Sequence, residues 1–118
     1  MNALKCALTA AAIGMTLGSS AQAQAIPVPG DPSASYSLVS IKKISGKRIE
    51  VVSKRVGRSG TSYARRLVDC AAMTFAYLGE GDTLKEALAD GHADKMGALT
   101  DGSASHGVSV YACRKSGF

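Results

Sequence analysis

Two cysteines, Cys70 in "RRLVDCAAMTF" and Cys113 in "VYACRKSGF", are the residues best suited to chemistry in this chain. A nucleophile, a metal ligand and a disulfide are the three uses open to them. A catalytic thiol needs its thiolate form beside a base, and an oxidising compartment removes free thiols. Asp69 stands directly before Cys70 and reads as a turn or salt-bridge partner, for instance of Arg65, rather than as a catalytic acid. "DGHAD", Asp90 to Asp94, sets two carboxylates around His92, and His106 could join them from elsewhere. Metal sites do use His and Asp, but such residues in a polar loop are ordinarily solvated. Asp101, Ser103, Ser105 and His106 contain the residue types of a Ser-His-Asp set. Close sequence neighbours rarely reach triad geometry, and no nucleophile elbow is present. The glycines around Glu80 match no phosphate loop. No motif calls for a cofactor, and no enzymatic activity is expected.

The compartment decides the cysteine chemistry. The chain opens "MNALKCALTAAAIGMTLGSSAQAQA". Lys5 gives a positive n-region, Ala7 to Leu17 an apolar h-region, and "AQA" at Ala21 to Ala23 the small residues of a cleavage site. This pattern predicts a signal peptide over 1–23, with cleavage after Ala25 as the alternative. The apolar run is about 11 residues, short of the roughly 20 that cross a bilayer. Cys6 precedes that run, so it is not a lipoprotein cysteine. Export leaves about 95 residues, one small domain, in the periplasm or at the cell surface. Cys6 leaves with the signal, and two cysteines in an exported chain default to an intramolecular disulfide. Intermolecular pairing and a reactive thiol are the alternatives. Closure of the loop from Cys70 to Cys113 would stabilise the fold by roughly 4 kcal/mol, less any strain.

These residues need elements to position them. "QAIPVPGDPSAS", with Pro27, Pro29 and Pro32, reads as an extended, flexible leader over 24–35. "YSLVSIKKISGKRIEVVSKRV" holds two β-rich runs around Gly46. A two-residue loop at Gly46-Lys47 makes a hairpin, pairing Ile44 with Ile49, Lys43 with Glu50 and Ile41 with Val52. The loop moved back by one residue would oppose Lys43 to Arg48, which like charges disfavour. "GRSG", Gly57 to Gly60, is a loop. "TSYARRLVDC" alternates, so Arg65 and Arg66 fall on opposite faces, and an inward arginine would need an acid such as Asp69. "AAMTFAYLG" alternates again, after a connection near Cys70-Ala71-Ala72 that lacks good turn residues. In "GEGDTLKEALADG" the period changes: Leu84, Ala87 and Leu88 share a helical face. Thr83 and Glu86 match a capping box, and Gly91 suits a C′ position. "SASHGVSVYACRKS" reads as a helix capped by Ser103, with a strand through Val108, Val110 and Ala112 as the alternative. The expected fold is α+β: a small antiparallel β-sheet of about four strands, one or two short C-terminal helices and one disulfide, over residues 36–118.

Charge is uneven along this domain. Lys42, Lys43, Lys47, Arg48, Lys54, Arg55, Arg58, Arg65 and Arg66 lie between Tyr36 and Arg66, with Glu50 the only acid. From Asp69 to Asp101 seven acids face two lysines. The bland reading is that the cations keep sheet edges soluble and unpaired. The functional reading is an anion-binding patch at Lys42, Lys43, Lys47, Arg48, Lys54, Arg55 and Arg58, facing an anionic envelope component or an acidic protein. Nucleic acid is disfavoured, because no aromatic array interleaves the cations.

The order of these segments resembles small exported proteins of the surface-adhesin protein E type. The resemblance is carried by "SYARRLVDC", "AAMTFAYL" and "GSASHGVSVYAC", over about Tyr36 to Cys113. It implies an antiparallel sheet with a helix, a Cys70–Cys113 disulfide and a non-enzymatic role. One protein of that type binds host matrix and plasma proteins. The expectation is thus an exported binding module that uses a basic hairpin, and the alternatives are a structural envelope protein or a small hydrolase or metalloprotein.

Overall fold

The computed structural model describes residues 24–89, 91, 93 and 95–118. The segment 1–23 read as a signal peptide, and Asp90, His92 and Asp94 of "DGHAD", lie outside the described residues. The chain forms β1 (Gln24–Ile26), β2 (Ser35–Ser45), β3 (Arg48–Gly57), β4 (Gly60–Asp69), β5 (Thr74–Gly81), α1 (Leu84–Leu88), β6 (Gly97–Ala98) and α2 (Ala104–Lys115). All six strands form one antiparallel sheet in the order β1-β2-β3-β4-β5-β6. The α+β class is as expected, but the strands are six rather than about four. Both additions are short edge strands, and one of them, β1, comes from the proline-rich leader. Within that leader Gln24–Ile26 pair with β2, and Ile26 and Val28 are buried.

Alternation along the strands makes two unlike faces. Ile49, Val51 and Val68 point to the helix face, where α2 brings Val108, Ala112 and Cys113, and Ile26, Val28, Tyr36 and Leu99 complete the core. The outer face carries Arg48, Glu50, Val52 and Lys54 of β3, opposite Asp69, Leu67, Arg65 and Tyr63 of β4. Helix α1 lies on this outer side, where Arg65 Nε and Nη2 donate to the carbonyls of Ala87 and Ala89. Arg65 therefore satisfies carbonyls that the helix end leaves open.

The β2–β3 turn falls at Gly46-Lys47 as read from sequence, with Ser45 opposite Arg48 and Gly46 at φ +55°. The pairing beyond it differs. Lys43 faces Ile49, Lys42 faces Glu50 and Ile41 faces Val51. The register shifts between Lys43 and Ser45, leaving Ile44 as a bulge residue, and shifts again between Leu38 and Ser40 at Val39. Each bulge sets an extra residue out of the ladder. Ile44 and Val39 are accordingly exposed, and Ile49 is fully buried.

The β4–β5 turn lacks typical turn residues because Asp69 builds it. Its Oδ1 accepts the backbone N–H of Ala71 and of Ala72, at 3.0 and 2.9 Å. Its carbonyl accepts the N–H of Met73, which sits at φ +55°. Asp69 also pairs with Arg48 at 3.3 Å. It is thus a turn organiser, and its cation is Arg48 rather than Arg65.

Both helices start on the expected caps. Thr83 and Glu86 form the full capping box of α1, and Ser103 Oγ accepts the N–H of His106 at the start of α2. Helix α1 ends at Leu88 with Ala89 as its C-cap, so Gly91 stands beyond the helix end. The C-terminal segment is helix, not strand. Cys70 and Cys113 are joined across 43 residues, with Cα atoms 5.8 Å apart, tying the end of β4 to α2. Among the described residues no helix is long and apolar enough to cross a membrane.

Candidate anion-binding cleft

The seven cations of the expected patch are dispersed. Alternation and register put Arg48, Lys54 and Lys42 on the outer face, and Lys43 and Arg55 on the helix face. Lys47 lies in the β2–β3 turn and Arg58 in the β3–β4 turn, at opposite ends of β3. Ten residues of strand separate those ends by about 30 Å. Several are also engaged within the protein. Arg48 meets Asp69, and Arg55 Nε donates to Asp31 Oδ2 at 2.9 Å. Lys43 Nζ lies 5.1 Å from the ring centroid of Phe118, and Lys54 Nζ 6.0 Å from that of Tyr63. Lys42, Lys47 and Arg58 are exposed without an ion-pair partner among the described residues.

Arg66 is in a different situation. In β4 its neighbours alternate, so Arg65 goes to the outer face and Arg66 to the helix face, opposite Val51. Its side chain enters the core side of the sheet and is only 4% exposed. An inward arginine was expected to find an acid. Instead Nη1 donates to Ser53 Oγ at 2.9 Å and Nε to Ser105 Oγ at 3.1 Å. Its Cζ lies 5.1 Å from the ring centroid of Tyr77, whose hydroxyl is 3.1 Å from the same Ser105 Oγ. No carboxylate stands within ion-pair distance of Arg66, and Nη2 has no hydrogen-bond partner, among the described residues.

A buried charge without a counterion is costly, since the desolvation of the ion is not offset by an opposite charge. Two hydroxyl oxygens and one ring face offset that cost only in part. The start of α2 adds to the positive potential, because its first turn holds no acid and its macrodipole points its positive end this way.

Arg66 forms part of the lining of an open cleft of roughly 500 Å³. Tyr36, Ser53, Arg55 and Tyr77 line it with Arg66, and Glu80 and Asp82 stand at its rim. The Arg55 side is neutralised. Asp31 accepts from Arg55 Nε at 2.9 Å and from the Tyr36 hydroxyl at 2.8 Å. The bond from Arg55, and then that from Tyr36, hold the Asp31 carboxyl below the usual carboxylate range. Burial, and then the bond to Asp31, push the Tyr36 phenol up. These three groups form a fixed wall. Arg66 is left as the buried cation of the cleft without an anion, among the described residues. The arrangement can bind and orient an anionic group through charge-assisted hydrogen bonds.

Among the described residues the other chemical candidates are not assembled. His106 Nε2 meets Asp101 Oδ1 at 3.2 Å. Ser103 Oγ donates to the Thr100 carbonyl and caps α2, and Ser105 Oγ is engaged with Arg66 and Tyr77. No serine hydroxyl is bonded to His106 Nε2 among the described residues. Among the same residues no three His, Cys, Asp or Glu side chains gather as a metal site. The sequence reading placed its candidate anion site on the hairpin and did not single out the Ser53–Arg66–Tyr77–Ser105 group. Its one available signal was the Arg65-Arg66 pair, which must send one arginine inward. Comparison of the chain with family models, curated proteins and solved structures gives no match.

Proposed function

We propose that this is an exported, non-enzymatic binding module that holds an anionic group of its partner in the cleft at Arg66. The observation that carries this reading is a buried guanidinium with hydroxyl partners and no carboxylate. Proteins retain uncompensated buried charge at a stability cost, and functional sites are where such costs concentrate. The signal-like N-terminus and the resemblance to exported adhesins support the compartment. Lys42, Lys47 and Arg58 add a diffuse positive field that favours approach of an anion.

The test uses oxidised protein from an exporting host, with millimolar inorganic phosphate at constant ionic strength. Binding to the native state raises the melting temperature by mass action. The wild type should respond, and Arg66→Met should not. Arg66→Met should itself melt no lower than wild type, because an apolar side chain of similar length removes an uncompensated charge. No response in the wild type, or an equal response in the variant, overturns the reading.

A further inference from the structure

We infer that the cleft takes a zwitterionic group, with its anion on Arg66 and its cationic end at Glu80 and Asp82. This deepens the anion-binding reading and rests on it. Strand register fixes the spacing. Arg66 pairs with Tyr77 and Ala64 pairs with Glu80, so Glu80 stands beside a position two residues along from Arg66 on the same face. Two residues of strand span about 7 Å. Asp82 follows two residues further along the chain and lines the same cleft.

Three observations make this rim a complement to Arg66 rather than a solvated edge. Glu80 and Asp82 are exposed and have no cationic partner within ion-pair distance among the described residues. The backbone that carries them is pinned. The N–H groups of Asp82 and Thr83 both donate to Glu86 Oε1, at 2.8 and 3.1 Å. The opposite wall contributes little net charge, because Asp31 already meets Arg55. The cleft therefore runs from a cation at its floor, with Tyr77 beside it, to two carboxylates at its rim. A pure anion satisfies the floor and is repelled by the rim. A group with an ammonium a few bonds from its anion satisfies both.

The test compares 2-aminoethyl phosphate with ethyl phosphate, which keeps the anion and lacks the ammonium. A basic protein acting by general attraction favours ethyl phosphate, the more negative ligand. The proposed rim reverses that order, so the wild type should bind 2-aminoethyl phosphate about five-fold tighter. Glu80→Gln combined with Asp82→Asn should erase the preference, by tightening ethyl phosphate binding and weakening 2-aminoethyl phosphate binding, and keep the wild-type melting temperature. Arg66→Met should lose both ligands. Ethyl phosphate binding as tightly as 2-aminoethyl phosphate to the wild type, or a preference that survives the double rim variant, overturns the zwitterion and leaves the anion reading standing. Absence of binding by either ligand overturns both.

Discussion

The guanidinium of Arg66 lies over the ring of Tyr77, 5.1 Å from its centroid, and both residues reach one hydroxyl, Ser105 Oγ. Ring and hydroxyls hold the planar cation in one orientation, and Nη2 has no hydrogen-bond partner among the described residues. A cation over a tyrosine face is worth about 0.5–2 kcal/mol, depending on exposure.

Tyr77→Leu should weaken phosphate binding by about three- to ten-fold, because the guanidinium loses the face that orients it. Tyr77→Phe keeps the ring and should stay within about two-fold of wild type. Titration calorimetry separates the two. Equal weakening by both variants would assign the role to the hydroxyl instead.

The bulge at Ile44 makes a contrast between two isoleucines of one hairpin. Ile49 is fully buried, and Ile44 is 47% exposed. Ile49→Ala should cost about 2–5 kcal/mol through the cavity it leaves. Ile44→Lys should change stability by less than about 0.5 kcal/mol. Urea unfolding of both proteins measures this. A large loss at Ile44 would mean that it packs across the hairpin from Ile49.

Acid should loosen two corners of the domain. The Asp69 carboxyl is held below its ordinary value by the backbone N–H of Ala72, then by that of Ala71 and by Arg48. Asp31 is held down by Arg55 and Tyr36. A carboxyl whose folded value is depressed stabilises the fold fully above its unfolded value, and loses that contribution as pH falls through the folded one. Stability should therefore hold near neutrality and fall from about pH 4 downward. The double variant Asp31→Asn with Asp69→Asn should start lower at neutral pH and show a flatter acid limb. Urea midpoints between pH 2 and 7 measure both slopes, and parallel limbs would assign acid sensitivity to other groups.

Much of this architecture was legible in local chemistry. Gly46 located the turn, Thr83 with Glu86 located α1, Ser103 located α2, and the two cysteines of the domain located the disulfide. Each rests on residues a few positions apart, or on a count. The bulges at Val39 and Ile44 were not legible. A bulge is a single inserted residue, and apolar side chains on both sides of it leave the alternation ambiguous. Strands β1 and β6, of three and two residues, are too short to show a period. The cleft was hidden for another reason. The partners of Arg66 lie 13 and 39 residues away and are serines, a type that signals loops and caps in a sequence. Charge density drew attention to the exposed hairpin, but the functional candidate is the cation that packing removed from water.

Because each strand pairs with its neighbour in the chain, the sheet can zip up from the N-terminus as successive hairpins, which form within microseconds. Helix α2 is the exception: it comes from the far end of the chain and packs against β1 and β3. A chain delivered N-terminus first thus presents Arg66 in a formed sheet before Ser105 exists to receive it. The guanidinium waits in water, where its charge is harmless, and is sealed only when the final helix docks. The same arrival brings Cys113 to Cys70. Docking of α2 is therefore the step that both encloses the Arg66 side chain and brings the two cysteines within bonding reach.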